Sequence, residues 1–458
     1  MKKNDVVRLK TESITNLGFG VGRVDGLVVF VSGLVSGDEA DVRIIKVAPS
    51  YAVGKIETII KKSENRCEDR CSIWGCSSCA YKNVTYAHEL EIKKENVRQA
   101  FVKAGLSDVE IEKIIPSPTE LGYRNKAQYP IAKDKSGEYV IGFYAPKSHR
   151  VTEARECPLL PDVFSDVINE LTRYFKKHNV SVYDEESGTG LLRHVYLRRG
   201  EVSGEILLTL VINGDSIPKK EELISMLKEK FPSLVGILLN VNKEKTNVIL
   251  GEKFITLYGR NYIYDTLSGV ELKIGAPSFY QVNHGAAELL YAKARELAEP
   301  TKDDLLLDLF CGAGSIGLSM ADSGCEIIGI EIIDNAVRCA RENAERAGIK
   351  NAKFYVGDAT GTESLLKNAE RELGREIKPT IVVLDPPRSG CDEKLINYVS
   401  SLSPRRVVYI SCNPTTLARD AAVFRKLGYE YGKVTAVDLF PMTGHVESVV
   451  ALTRRLDN

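Results

Sequence analysis

Leu305-Leu306-Leu307-Asp308-Leu309-Phe310, followed after Cys311 by Gly312-Ala313-Gly314-Ser315-Ile316-Gly317, is the stretch that decides the fold. An apolar run of strand length passes into a glycine-rich turn and then into a helical pattern. Glycines at this spacing allow a tight turn and let the backbone approach a ligand at the start of a helix. Glu331 ends a second run, 326–331, where a carboxylate can accept hydrogen bonds from ribose hydroxyls. From about residue 278 onward the pattern predicts strands over 305–310, 326–331, 352–357, 380–384, 405–411, 433–439 and 448–452. Helical stretches, notably 335–347 and 415–427, separate the first six, which predicts a doubly wound α/β sheet. The last two strands lie too close for a helical crossover and are expected to pair antiparallel.

In open α/β sheets, ligands gather outside the carboxyl ends of the strands. Two short strings fall there: Asp385-Pro386-Pro387-Arg388 after the run 381–384, and Ser411-Cys412-Asn413-Pro414 after 407–410. The loop 440–447 emerges on the same edge and carries His445 and Glu447. A thiol and carboxylates on one edge point to covalent chemistry on a bound substrate.

The rest of the chain divides into two further parts. With 458 residues, two or three domains are expected. Composition is that of a soluble globular protein, 43% hydrophobic and 27% charged, with no apolar stretch long enough to span a bilayer. No signal-peptide pattern follows Met1, so the cytoplasm is the expected compartment. Net charge is zero, so an RNA partner would have to meet a local basic surface. Residues 1–62 alternate short β-branched runs (28–31, 40–45, 54–60) with glycine turns, as in a small antiparallel barrel. Such a barrel serves either as a nucleic-acid-binding or as a purely structural module. Residues 63–277 hold a cysteine cluster, a helix over 87–103 with apolar Leu90, Val97 and Phe101, and a mixed α+β remainder. On a strand at 191–199, alternation puts Arg193, Val195, Leu197 and Arg199 on one face. That face is either RNA-facing or half-buried with solvated arginines.

The glycine string by itself suits NAD-binding and S-adenosylmethionine-binding sheets equally. Asp-Pro-Pro at the fourth strand resembles class I (Rossmann-like) methyltransferases that act on planar nucleobases, in which Asp358 falls where the adenine amine is contacted. Helix N-capping is the competing role for Asp358. Over nearly its whole length the chain resembles the RNA uracil-C5 methyltransferases of the TrmA/RumA/RlmD type. The resemblance rests on Gly18-Phe19-Gly20-Val21-Gly22-Arg23-Val24-Asp25-Gly26 of a TRAM-like (OB-like) barrel, Ser278-Phe279-Tyr280-Gln281-Val282-Asn283, the Asp308 and Asp385 strings, Ser411-Cys412-Asn413-Pro414, and Gly444-His445-Val446-Glu447, all in family order. It implies Cys412 as nucleophile and Glu447 as proton acceptor, with His445 the alternative base. It implies S-adenosylmethionine as cofactor, held by Gln281, Phe310, Ser315, Glu331, Asp358 and Asp385. Ser315 departs from the common Asn. The substrate would be RNA, 23S ribosomal RNA ahead of the transfer RNA T-loop, with no obligate protein partner and no membrane. Phe279 is a candidate wall for a flipped base, or else a core residue.

By the same resemblance Cys71, Cys76, Cys79 and Cys157 are the ligands of a [4Fe–4S] cluster. The first spacing is one residue shorter than in relatives, which leaves Cys67 as the substitute for Cys71. A four-cysteine zinc site is the alternative. The Cys-x3-Cys-x2-Cys of radical S-adenosylmethionine enzymes does not occur. An NAD-dependent oxidoreductase and a non-catalytic RNA-binding protein are the readings from other classes.

Overall fold

A computed structural model describes residues 1–73, 75–76 and 78–455. The N-terminal part is a curled six-stranded sheet, in the order Val6–Lys10, Glu39–Val47, Tyr51–Lys61, Leu27–Ser32, Phe19–Val24, Ser13–Ile14. Leu9, Val29, Val31, Ala40, Val42 and Ile44 fill its interior. Gly54 sits where the wall is tightest, since a Cβ there would lie 2.2 Å from Val42. The sequence pattern located three of these strands; the others are too short or too glycine-rich to show a clear alternation.

The middle of the chain forms a seven-stranded sheet, in the order Lys253–Gly259, Leu234–Val241, Ile206–Ile212, Leu192–Arg199, Lys126–Lys133, Tyr139–Tyr144, Val151–Glu153. Helices Asp162–Lys177 and Lys220–Lys230 cover one face through Phe164, Leu171, Leu223 and Leu227. Strand Leu192–Arg199 lies between two neighbours at the centre of this sheet, and Arg193 and Arg198 are both buried. For Arg193 both expectations are therefore corrected, since it faces neither RNA nor solvent, while Arg199 at the strand end is half-buried and pairs with Glu201. Arg193 instead donates to the carbonyls of Asn242 and Glu244 at 2.7 and 2.8 Å. A hairpin, Tyr262–Leu267 and Val270–Gly275, follows, turning at Ser268 and Gly269, both with positive φ, as two-residue hairpin turns require.

The C-terminal sheet has eight strands. Ala352–Val356, Glu326–Glu331, Leu305–Leu309, Ile381–Leu384 and Arg406–Ser411 run parallel, and Glu447–Arg454 then pairs antiparallel with Arg406–Ser411. Thr435–Val437 and Tyr429–Tyr431 pair with the other edge of Glu447–Arg454. Along Leu305–Leu309 the side chains alternate between two cores: Leu306 joins one, while Leu305, Leu307 and Leu309 join the other. Both faces of a parallel sheet are buried, which is why these strands read as unbroken apolar runs. Helix Tyr86–Lys103 packs Val97 and Phe101 into the second of these cores. No helix of the described residues is long and apolar enough to cross a membrane.

Candidate active site

One register decides the site. Ser411 and Ser448 are cross-strand partners on neighbouring antiparallel strands. Cys412 leaves the first strand and Glu447 begins the second, so both stand at the same end of the sheet. They line one cavity of about 680 Å³ with Gln281, Phe310, Glu331, Asp358 and Asp385. Seven of the eight residues assigned to catalysis and cofactor binding from the sequence thus share one wall. Ser315 is not among the lining residues: it starts the short helix Ser315–Leu318, and its hydroxyl meets that of Tyr291 at 3.0 Å.

The glycine turn is built for close approach. Gly312 and Gly314 have φ of +55° and +81°, and Phe310, an aromatic residue, also takes a positive φ of 66°. Such backbone strain in a bulky residue is held only where the surroundings enforce it. The Glu331 carboxylate ties the turn down, accepting from the N–H of Gly312 at 3.1 Å and of Ile333 at 2.9 Å. A carboxylate has about four lone-pair sites, so Glu331 keeps capacity for hydroxyl donors. Asp358 takes the capping role, accepting from Thr360 in the turn 359–361, and stands at the cavity.

Three carboxyl groups are driven upward. Burial, then the nearby Asp385 and Glu331, pushes Asp308 to about 7. Burial alone takes Asp385 to about 7. Burial, then Asp385, takes Glu447 to about 8, against a downward pull from Arg388. A cavity lined by Asp385 and Glu447 suits a cationic ligand, whose charge would draw their protons off. Cys412 is also raised by burial and by Glu447, while the hydrogen bond and charge of Arg388 pull it down. Arg388 belongs to the quoted Asp-Pro-Pro-Arg string but was given no role from sequence. Phe440 and Lys126 line the cavity too and carried no sequence signal at all.

The Asn413-Pro414 pair has a local reason. Asn413 accepts from Thr415 N–H at 3.1 Å as the N-cap of helix Pro414–Lys426, with Pro at the start of the helix. Cys412 therefore precedes a helix N-terminus, whose dipole favours a thiolate. His445 stands at the rim, edge-on to Phe440, and partial burial of its ring, with Arg388 nearby, lowers its pKa. Phe279 is 68% exposed, which removes the core role considered for it.

The loop carrying Glu447 is clamped from beneath. Lys93, fully buried, donates to Glu89 and Asp438 at 2.7 Å each and to the Phe440 carbonyl at 3.0 Å. Met442 N–H donates to Glu89, and Tyr123 hydroxyl to the Pro441 carbonyl. The barrel reaches the same loop: a Cβ on Gly444 would lie 1.7 Å from the carbonyl oxygen of Asn16.

Cys71, Cys79 and Cys157 gather in one small apolar cluster with Tyr123, Leu159 and Met442, and Cys76 is close enough to influence both Cys79 and Cys157. None of the ten cysteines forms a disulfide. Burial pushes Cys79 up to about 12 and Cys157 to about 11. Cys67 stands apart from that cluster, its thiol directed to the Val84 carbonyl at 3.2 Å. Among the described residues, no group of three or more His, Cys, Asp or Glu side chains is closed around a metal position. The four thiols are neighbours, and their chemistry suits a soft metal centre, but they do not form a finished ligand cage.

Two family models match the chain. The family described as tRNA (Uracil-5-)-methyltransferase matches residues 85–455, and the TRAM domain matches residues 2–56. An uncharacterized RNA methyltransferase of Clostridium acetobutylicum is 39% identical over 458 residues, covering 99% of this chain and 98% of that protein. One from Clostridium tetani is 37% identical over 454 residues, covering 99% and 97%. The Pyrococcus abyssi tRNA (uracil-54, C5)-methyltransferase, solved with S-adenosyl-L-homocysteine, superposes with a TM-score of 0.77 at 27% identity, covering 98% of this chain and all of that one. With a family match over most of its length and a cavity lined by the family's motifs, the chain belongs to the tRNA (uracil-5-)-methyltransferase family of S-adenosylmethionine-dependent RNA methyltransferases and carries a TRAM domain at its N-terminal end.

Proposed function

We propose that this enzyme methylates carbon 5 of a uridine in structured RNA through a covalent adduct with Cys412. The observation that carries the reading is the shared sheet end of Cys412 and Glu447, set by the Ser411–Ser448 register. Carbon 5 of uracil is a poor nucleophile. Addition of the Cys412 thiolate to carbon 6 generates an enolate and makes carbon 5 nucleophilic. S-adenosylmethionine, when bound, supplies the methyl group as an electrophile. Gln281, Phe310, Glu331, Asp358 and Asp385 are the residues assigned to hold it. Glu447 then takes the proton from carbon 5, and the electron pair left there expels the thiolate from carbon 6, restoring the ring's double bond. Arg388, hydrogen-bonded to Cys412, favours the thiolate at the start and again at release. The target base has to leave its stack to reach Cys412, and exposed Phe279 is the surface it packs on.

We assign 23S ribosomal RNA as the favoured substrate, on the combination of TRAM domain and cysteine loop. A second reading, transfer RNA, is supported by the likeness to the Pyrococcus abyssi enzyme, which extends over 98% of this chain. Incubation with labelled S-adenosylmethionine and separate 23S and transfer RNA transcripts, followed by mapping of the labelled nucleotide, tests both. Label in any base other than uracil, or at any atom other than carbon 5, overturns the proposal.

For the thiols Cys71, Cys76, Cys79 and Cys157 we propose a [4Fe–4S] cluster, with zinc as the alternative. Nothing in the methyl-transfer chemistry calls on it. Its place beside Tyr123 and Met442 gives it a holding role under the loop of Glu447. Iron and sulfide analysis of anaerobically purified protein decides: about four of each per chain is expected for the cluster, and zinc without sulfide contradicts it.

A further inference from the structure

Lys126 opens the central strand Lys126–Lys133 and its side chain lines the catalytic cavity. Among the described residues no hydrogen bond or ion pair engages its ammonium. Its neighbour Arg198 is fully buried. Arg198 Nη2 donates to the Ser278 carbonyl at 2.6 Å and to the Tyr196 hydroxyl at 2.8 Å, yet its Nε and Nη1 have no acceptor. No carboxylate pairs with it among the described residues. Two cations thus stand together without an anion. Burial, then Arg198 and Arg124, pushes the Lys126 pKa down to about 8. Buried charge left unpaired is costly, and an anion brought to Lys126 offsets that cost.

Resting on the RNA reading above, we propose that Lys126, backed by Arg198 and Arg124, is a phosphate subsite that takes the phosphate adjoining the target uridine. Two anions come to this cavity, the carboxylate of the cofactor's methionine and the RNA backbone. The position of Lys126 favours the second. Its cross-strand partner Arg198 holds the Ser278 carbonyl, next to Phe279, whose phenyl ring is 68% exposed and is assigned above to the flipped base. A lysine binds phosphate as a point charge and needs no fixed fork geometry, which suits a nucleotide that swings into place.

The test uses calorimetry with uridine and uridine 3′,5′-bisphosphate in the presence of S-adenosylhomocysteine, on the parent enzyme, Lys126→Gln and Lys126→Arg. The parent enzyme should bind the bisphosphate at least about tenfold tighter than uridine; Lys126→Gln should lose most of that difference and Lys126→Arg regain it. With RNA, Lys126→Gln should raise KM about tenfold and reduce the slope of log affinity against log salt by about one. Equal binding of uridine and its bisphosphate by the parent overturns the proposal. So does a Lys126→Gln variant that weakens S-adenosylmethionine and spares the nucleotide, because the cation would then belong to the cofactor's carboxylate. The bisphosphate arm requires no methyl transfer, so loss of the subsite and loss of the functional reading are separable.

Discussion

The side-chain amide of Asn413 donates to the backbone carbonyl of Arg388 at 2.9 Å, joining the turn that carries Cys412 to the turn that carries Asp385. The two strings are separate in sequence and one unit in space. Arg419 adds to the link by donating to the carbonyls of Ser389 and Cys391. Asn413→Ala removes both the tie and the cap of helix Pro414–Lys426, at about 1 kcal/mol for the cap. The expected outcome is a modest fall in Tm with a larger loss, about tenfold or more, in kcat, because Arg388 and Cys412 lose their mutual placement. Equal proportional losses in folding and turnover would contradict this.

The buried ion cluster under the loop of Glu447 predicts a different outcome. Lys93 neutralises Glu89 and Asp438, and replacing it with Met leaves Asp438 without a cation and Glu89 with Arg70 alone. Breaking a buried pair in this way costs about 3–5 kcal/mol. Chemical denaturation of Lys93→Met should show a loss of that size, whereas the exposed pair Arg98–Glu95 should be worth under about 1 kcal/mol.

Glu447 links stability to pH. Its pKa rises from an ordinary 4.5 to about 8 on folding, so the folded chain holds this proton more tightly than the unfolded chain. The destabilisation is absent below the unfolded value, grows as pH rises, and is complete above about 8. Glu447→Gln should therefore match the parent in urea near about pH 4 and exceed it by on the order of a few kcal/mol at about pH 9. In kinetics, kcat/KM of the parent should climb with pH toward about 8, and the rise in kcat should come at lower pH once a cationic cofactor is bound. A flat profile for kcat/KM between about pH 6 and about pH 9 would remove Glu447 from the role of base.

Phe279 offers the cleanest separation of binding from folding. An exposed side chain contributes within about 0.5 kcal/mol to stability. Phe279→Ala should keep its Tm while RNA KM rises and kcat falls, read from steady-state assays on structured RNA. Unchanged kinetics would leave the ring without a part in catalysis.

The doubly wound sheet was legible because each parallel strand is buried on both faces and reads as an apolar run. The convergence of Cys412 and Glu447 followed from topology, since strand ends of one direction share an edge and 440–447 had to return to it. Other features had no comparable pattern. Glu89 and Lys93 extend the buried stripe of Val97 and Phe101, but charged residues at those positions read as solvent-facing until Asp438 is placed beside them. Arg193 was expected on an RNA-facing or solvated face for the same reason; its strand is central only because 126–133 pairs on one side and 206–212 on the other. Ser315 matched a motif position, but its 3.0 Å contact with Tyr291, on a helix outside that motif, had no signal in the sequence. The cysteine spacing left Cys67 and Cys71 as rivals, and only the fold sets Cys67 against Val84.

The central claim is a bond between the sulfur of Cys412 and carbon 6 of uracil. Mass spectrometry of the enzyme incubated with S-adenosylmethionine and RNA carrying 5-fluorouridine measures it directly. A stable protein–RNA species joined at Cys412 is expected for the parent, none for Cys412→Ala, and with ordinary uridine a slowly released methylated adduct for Glu447→Gln. Methylation by Cys412→Ser at the parent's rate, or a parent enzyme that methylates uridine yet leaves no adduct with the fluorinated RNA, would contradict it.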